Sequence, residues 1–143
     1  MGCRFIPCNR YRETIPIKGT TVREDLQGNF DMILPNFRRY LKKNVTIFGA
    51  ESCGKTIMTK KLAQELNGYF VPEWAREYLE TVGPEVTVDK MRTIVGGQFA
   101  VQRTAQLRLN DKPWAFYDTD LYSTLGYYRR GIVTGKQIGR AHV

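Results

Sequence analysis

Residues 45–56 read VTIFGAESCGKT, a short apolar strand that runs into Gly49-Ala50-Glu51-Ser52-Cys53-Gly54-Lys55-Thr56. The eight residues match G-x-x-x-x-G-K-[ST] in full, and the spacing has a physical reason. Gly49 and Gly54 let the backbone turn tightly, so that the N–H groups of Glu51, Ser52, Cys53 and their neighbours point inward at phosphate oxygens. Lys55 brings an ammonium to the β- and γ-phosphates, and the Thr56 hydroxyl is a ligand for Mg²⁺. A helix expected from Lys55 to about Leu66 aims the positive end of its dipole at the same anion.

Both flanks agree with this reading. Val45, Ile47 and Phe48 favour a strand, whereas Ile57, Met58, Leu62, Ala63 and Leu66 form an apolar helical face that Asn67-Gly68 ends. A glycine turn carrying a surface lysine is the competing reading, and the strand before and helix after decide against it. The loop binds a nucleotide.

With 143 residues the chain has room for one domain, or one domain and a piece of another. An apolar fraction of 42% can build a core. No apolar run approaches the roughly 18 residues of a membrane span, and no secretory pattern opens the chain. The expectation is therefore a soluble cytoplasmic protein with no membrane partner. A formal charge of +8 raises the question of nucleic acid, but Arg38, Arg39, Lys42, Lys43, Lys60, Lys61, Arg129 and Arg130 are spread along the chain and form no stripe. Nucleic acid is not the expected partner. Of the three cysteines, Cys3 and Cys8 lack the spacing and the second pair of a zinc site, and Cys53 sits inside the phosphate loop, which fits a reducing compartment.

Residues 1–43 do not read as the start of a domain. Ile15 to Arg23, IPIKGTTVR, is a strand, a turn and a helix start that Thr20 or Thr21 would cap. Gly19, Thr20 and Arg23 together make a candidate second phosphate site, with an ordinary capped turn as the alternative. Residues 30–40 read as a short helix or turn interrupted by Pro35. The basic run from Arg38 to Lys43 reads as a linker.

After the first helix, Gly68 to Pro72 (GYFVP) is a second buried strand, and a helix opens at Glu73. Glu73 and Arg76 then stand at a strand's C-terminal end, on the side of the phosphate loop, where ligands bind in open α/β sheets. An i, i+3 ion pair on a helix surface is the alternative. Trp74 and Tyr78 read as core. Gly83-Pro84 breaks the chain, and Thr87 caps a long helix from Val88 to about Leu109, with Met91, Ile94, Val95, Phe99, Val101 and Leu107 partly at helical spacing. Gly96-Gly97 costs that helix about 1–2 kcal/mol, so it bends there or something packs against its backbone.

Trp114 to Asp118 (WAFYD) has the form of a third parallel strand whose terminal carboxylate meets Mg²⁺, with Asp118 as metal ligand and Asp120 placed to take the proton of an attacking hydroxyl. The alternative is that one of these acids caps the helix opening near Leu121. Tyr117, Tyr122, Tyr127 and Tyr128 read mostly as packing residues.

Taken together, IPIKGTTVR, VTIFGAESCGKT, FVPEWAREYLE (residues 70–80) and WAFYDTDLYSTLGYY (residues 114–128) resemble the bifunctional nicotinamide-nucleotide adenylyltransferase/ribosylnicotinamide kinase (NadR) family, over roughly residues 10–130. The resemblance implies an α/β fold with a P-loop NTPase-type parallel sheet and flanking helices. The sheet is incomplete, with about three of five core strands, and the tail of a nucleotidyltransferase domain precedes it. It divides the chain into that tail and linker (1–43), the N-terminal part of a P-loop kinase (44–130) and a remainder (131–143). The transferase H-x-G-H signature is missing, the single histidine being His142. Residues 138–143, IGRAHV, resemble a translated sequencing adapter, so 131–143 is read as a non-native tail.

The implied activity is ATP-dependent phosphorylation of nicotinamide riboside. Lys55, Asp118 and Asp120 would be catalytic, Gly49, Glu51, Ser52, Cys53, Gly54, Lys55 and Thr56 would hold ATP, Thr56 and Asp118 Mg²⁺, and Glu73, Arg76 and Asp120 the riboside. Gly19, Thr20 and Arg23 would belong to the transferase's nucleotide site. Residues alone leave open another nucleoside or nucleotide kinase, a non-kinase P-loop module, and a fragment whose unpaired strand edges prevent folding. A GTPase is disfavoured, because Asp118-Thr119-Asp120-Leu121 lacks the glycine of D-x-x-G and no N-K-x-D occurs.

Overall fold

The computed structural model describes residues 3–7, 10–14, 16–50, 52–108 and 110–134, with side chains up to Arg129. Glu51 and residues 135–143, including IGRAHV, lie outside them. The elements in chain order are α1 (Gly19–Glu24), a 3₁₀ turn (Phe30–Met32), α2 (Pro35–Leu41), β1 (Lys43–Ile47), α3 (Lys55–Glu65), β2 (Tyr69–Val71), α4 (Trp74–Val82), α5 (Val88–Arg108), β3 (Trp114–Asp118) and α6 (Leu121–Thr134).

The three strands form one parallel sheet in the order β1-β3-β2. The last strand in sequence is the middle one in space. Its four residues from Ala115 to Asp118 are all buried, which explains the uninterrupted apolar run: a strand covered on both faces has no reason to alternate. Val45 and Phe70 both stand opposite Phe116, and Ile47 stands opposite Asp118. This register puts the acid at the tip of β3 beside the start of the phosphate loop.

Helix α5 holds the layers together. Its Ala105 joins Val71, Ala115 and Tyr117 in one buried cluster, and its Met91 and Ile94 join Leu79 in another, against which Tyr78 and Tyr128 pack. Thr87 caps it as expected, accepting a 3.3 Å bond from the Lys90 N–H. The helix runs through Gly96-Gly97 without a break. A Cβ on Gly97 would lie 1.9 Å from Trp74 Nε1. The glycine is there so that an indole can rest on the helix backbone.

Several expectations are corrected. Ile57 and Met58 do not face the sheet: they are 64% and 55% exposed, and Thr59 and Ala63 are buried instead. The phosphate loop fixes the phase of α3, because Thr56 must point at β3, and residues three and seven further on follow it. Thr59 is tolerated there because its hydroxyl bonds the Lys55 carbonyl at 2.8 Å. On α5 the buried stripe holds Gln98, whereas Phe99 and Leu107 are exposed. Tyr122 is 84% exposed and is no packing residue.

The basic run before β1 is not a plain linker. Lys42 is 6% exposed, and its amine donates to the Ala105 carbonyl in the last turn of α5 at 2.8 Å, satisfying a helix-end acceptor. Burial lowers its pKa, with Asp111 opposing. Neither Thr20 nor Thr21 caps α1: the N-cap is Lys18, with no side-chain cap bond, and both threonines lie inside the helix. At the end of α3, Asn67 takes the left-handed conformation (φ 48°), and the Gly68 N–H bonds the Ala63 carbonyl at 2.7 Å, a Schellman-type stop. Among the described residues, no helix is long and apolar enough to cross a membrane.

Candidate nucleotide and substrate site

The loop between β1 and α3 is built from unusual backbone. Gly49, Ser52 and Gly54 have φ of 156°, 58° and 82°. Gly54 is the N-cap of α3 in the left-handed region, where a side chain would be strained. Left-handed residues interleaved with right-handed ones turn consecutive N–H groups to one side and make an anion-binding concavity. Ser52 bears the same conformation without glycine's freedom, at about 1–3 kcal/mol, as strained residues at ligand sites do. Lys55 Nζ reaches back to the Ala50 carbonyl at 2.6 Å, so its charge stands over the loop. Cys53 is exposed and its thiol is free.

Thr56 Oγ1 donates to Asp118 Oδ2 at 2.5 Å. Asp118 is 1% exposed, and its Oδ1 is buried with no hydrogen-bond partner among the described residues. A carboxylate oxygen left this way is costly. A hard divalent cation takes oxygen ligands of this kind, a hydroxyl and a carboxylate at the edge of a phosphate site, so these residues fit Mg²⁺. No group of three or more His, Cys, Asp or Glu side chains suited to a metal occurs among the described residues; a cation held by the pair would need other ligands besides them.

Arg76, on α4, joins this group. Its Nη2 lies 3.3 Å from Thr56 Oγ1 and 3.7 Å from Glu73 Oε2. The i, i+3 ion pair therefore exists, and the arginine also reaches Thr56 of the phosphate loop. Asp120 caps α6, accepting from the Ser123 N–H at 2.8 Å through Oδ1, while its carbonyl accepts from the Thr124 hydroxyl at 2.9 Å. Between the two acids, Thr119 has φ 71°, and its N–H bonds the Ile47 carbonyl at 3.1 Å, which ties the exit of β3 to the exit of β1. Just before them, Tyr117 donates to Asn44 Oδ1 at 3.2 Å, and burial raises its pKa.

Sequence reasoning missed Gln98. It is 1% exposed and bonds both the Trp74 N–H and the Thr119 carbonyl. A signal was present: Gln98 falls on the helical phase of Met91 and Ile94, where a polar residue must find partners. Gly19, Thr20 and Arg23 form a separate exposed group on α1, with Arg23 Nη2 3.4 Å from Thr20 Oγ1. No hydrogen bond among the described residues ties them to the phosphate loop.

A parallel sheet whose edge carries a phosphate loop, a hydroxyl–carboxylate pair and a nearby arginine defines a nucleotide-binding P-loop protein of kinase-like type. A family model described as AAA domain matches residues 44–140, and the chain belongs to that family. Two solved structures of NadR are similar to it. One, of NadR protein in complex with NR, has a TM-score of 0.65 and 26% identity, and covers 87% of this chain and 40% of its own. The other, in complex with NAD and AMP-PNP, has a TM-score of 0.64 and 27% identity, and covers 85% and 40%. The chain thus spans about 40% of the length of these relatives. No curated protein matches it.

Proposed function

We propose that this chain is part of a kinase that transfers the γ-phosphoryl group of ATP to the 5′-hydroxyl of nicotinamide riboside. The observation that carries the phosphotransferase reading is the Thr56–Asp118 pair beside the loop, with one carboxylate oxygen unpartnered. The riboside is supported by the likeness to NadR, one structure of which is in complex with NR.

In this reading the loop amides and Lys55 bind and orient the β- and γ-phosphates, and Thr56 and Asp118 would hold Mg²⁺. The cation would supply neutralisation of charge on the phosphate oxygens. Arg76 adds a positive charge next to Thr56, and with Glu73 it lines the riboside side. Asp120 orients the hydroxyl and accepts its proton while its carboxylate caps α6; phosphoryl transfer asks little else of a protein than positioning and charge. Residues 1–43 belong to the end of a nucleotidyltransferase domain, with Gly19, Thr20 and Arg23 in its nucleotide site, and the protein works in the reducing cytoplasm.

The test is riboside-dependent release of ADP by the open reading frame that carries this chain, with Lys55→Ala as control. Turnover with riboside that the substitution abolishes supports the proposal. Turnover only with other nucleosides discards the substrate, and no turnover by a folded protein discards the kinase.

A further inference from the structure

Two glutamines one turn apart on α5 leave their own helix to serve the backbone of others. Gln98 Oε1 accepts from the N–H of Trp74, the first residue of α4, at 2.9 Å. Its Nε2 donates to the carbonyl of Thr119, next to Asp118, at 3.4 Å. Gln102 Oε1 accepts from the N–H of Leu121, the first residue of α6, at 3.3 Å. The N-terminal amides of a helix need acceptors from outside its own ladder. The α4 N-cap, Glu73, makes no side-chain cap bond, and α5 supplies the acceptor instead. The indole of Trp74 then lies against Gly97, the residue before Gln98.

Both ends of the Gln98 amide therefore hold a piece of the site. One end fixes the start of α4, which carries Glu73 and Arg76. The other fixes the turn that carries Asp118 and Asp120. Only an amide can do both: a carboxylate offers acceptors alone, and a thioether offers neither hydrogen bond at useful strength.

We propose that Gln98 is the positioning residue that sets the substrate-side helix against the nucleotide–metal side. The proposal rests on the kinase reading above for the identity of the substrate, but not for the positioning itself. Among the described residues Gln98 makes no hydrogen bond to the phosphate loop and reaches Thr56 through Arg76 on α4, so nucleotide binding without metal depends on it less than binding with metal.

The experiment compares Gln98→Glu with Gln98→Met in the open reading frame that carries this chain. Affinity for a fluorescent ADP analogue is measured with and without Mg²⁺, and KM and kcat with nicotinamide riboside. Metal-free affinity should stay within about twofold of wild type in Gln98→Glu, which keeps α4 and Arg76 in place, and should fall far less than affinity in Mg²⁺ in Gln98→Met. Gln98→Glu keeps an acceptor for Trp74 but sets an oxygen against the Thr119 carbonyl. It should lose most of the Mg²⁺ enhancement of ADP binding and lower kcat, while riboside KM stays near wild type. Gln98→Met loses both bonds, and should in addition raise riboside KM about tenfold, the scale of a small misplacement.

Equal behaviour of the two variants overturns the proposal, as does an unchanged Mg²⁺ effect, or a metal-free affinity that falls in proportion with everything else. If wild type shows no riboside turnover, the substrate reading has failed, and amide hydrogen exchange decides the α4 half without it. The Trp74 N–H should exchange faster in Gln98→Met and at the wild-type rate in Gln98→Glu; equal rates in all three proteins overturn the positioning role.

Discussion

Thr56 in the first turn of α3 and Asp118 at the tip of β3, 62 residues apart in sequence, share a hydrogen bond of 2.5 Å. The bond leaves Asp118 with one buried oxygen unpartnered. Asp118→Asn should therefore cost little stability, because the amide is less penalised by burial than a carboxylate, yet weaken Mg²⁺-dependent nucleotide binding about a hundredfold, as removal of a preorganised charged group does. Calorimetric titration with and without Mg²⁺ separates the two effects. Unchanged binding in Mg²⁺ would remove Asp118 from the metal site.

Asp120 caps α6 and in the proposed reaction also accepts a proton, and asparagine separates the two. Asparagine caps helices about as well as aspartate, so Asp120→Asn should retain the bond from the Ser123 N–H and melt within about 0.5 kcal/mol of wild type. Loss of the proton acceptor should lower kcat about a hundredfold. An unchanged kcat would leave Asp120 as a cap alone.

Adjacent glycines on α5 should respond in opposite directions. Gly97→Ala drives a methyl into the Trp74 indole and should destabilise by about 1–3 kcal/mol through overpacking. At Gly96 a Cβ meets nothing within 4 Å, so Gly96→Ala should stabilise the helix by up to about 1 kcal/mol. Urea melts of the two variants check the pair, and a similar shift in both would contradict the indole contact.

Tyr117 gives an alkaline limit. Its burial raises the phenol pKa in the fold, so the native state favours the neutral ring. That contribution is complete below the unfolded pKa of about 10 and is lost as pH rises through the higher folded value. Tyr117→Phe should flatten the fall of stability above about pH 10, at some cost from the lost bond to Asn44. Denaturant midpoints of the two proteins, compared across that range, provide the measurement.

Much of the site is legible in sequence because its chemistry is local. The glycines, Lys55 and Thr56 lie within eight consecutive residues, and the backbone of such a loop needs no distant partner to define it. The central strand was legible for a similar reason: WAFYD is apolar up to a terminal acid, and the apolar run reports burial on both faces, whereas a buried acid at the strand tip requires a polar partner, which is Thr56. The phase of α3 was misread, because the periodicity of Ile57, Met58 and Leu62 says where apolar atoms recur but not which stripe the loop turns toward β3.

By itself, then, the sequence determined the phosphate loop, the elements on either side of it and the acid that ends the central strand. Only the tertiary structure decided that β3 stands between β1 and β2, that Asp118 meets Thr56, and that Arg76 reaches the same hydroxyl. It also turned Lys42 from a linker residue into a helix cap, and Gln98 from an ordinary helix residue into the bridge between two parts of the site. The division is physical. Backbone conformation and helix or strand preference are set by neighbours along the chain, whereas the partner of a buried polar group is whichever element packs against it.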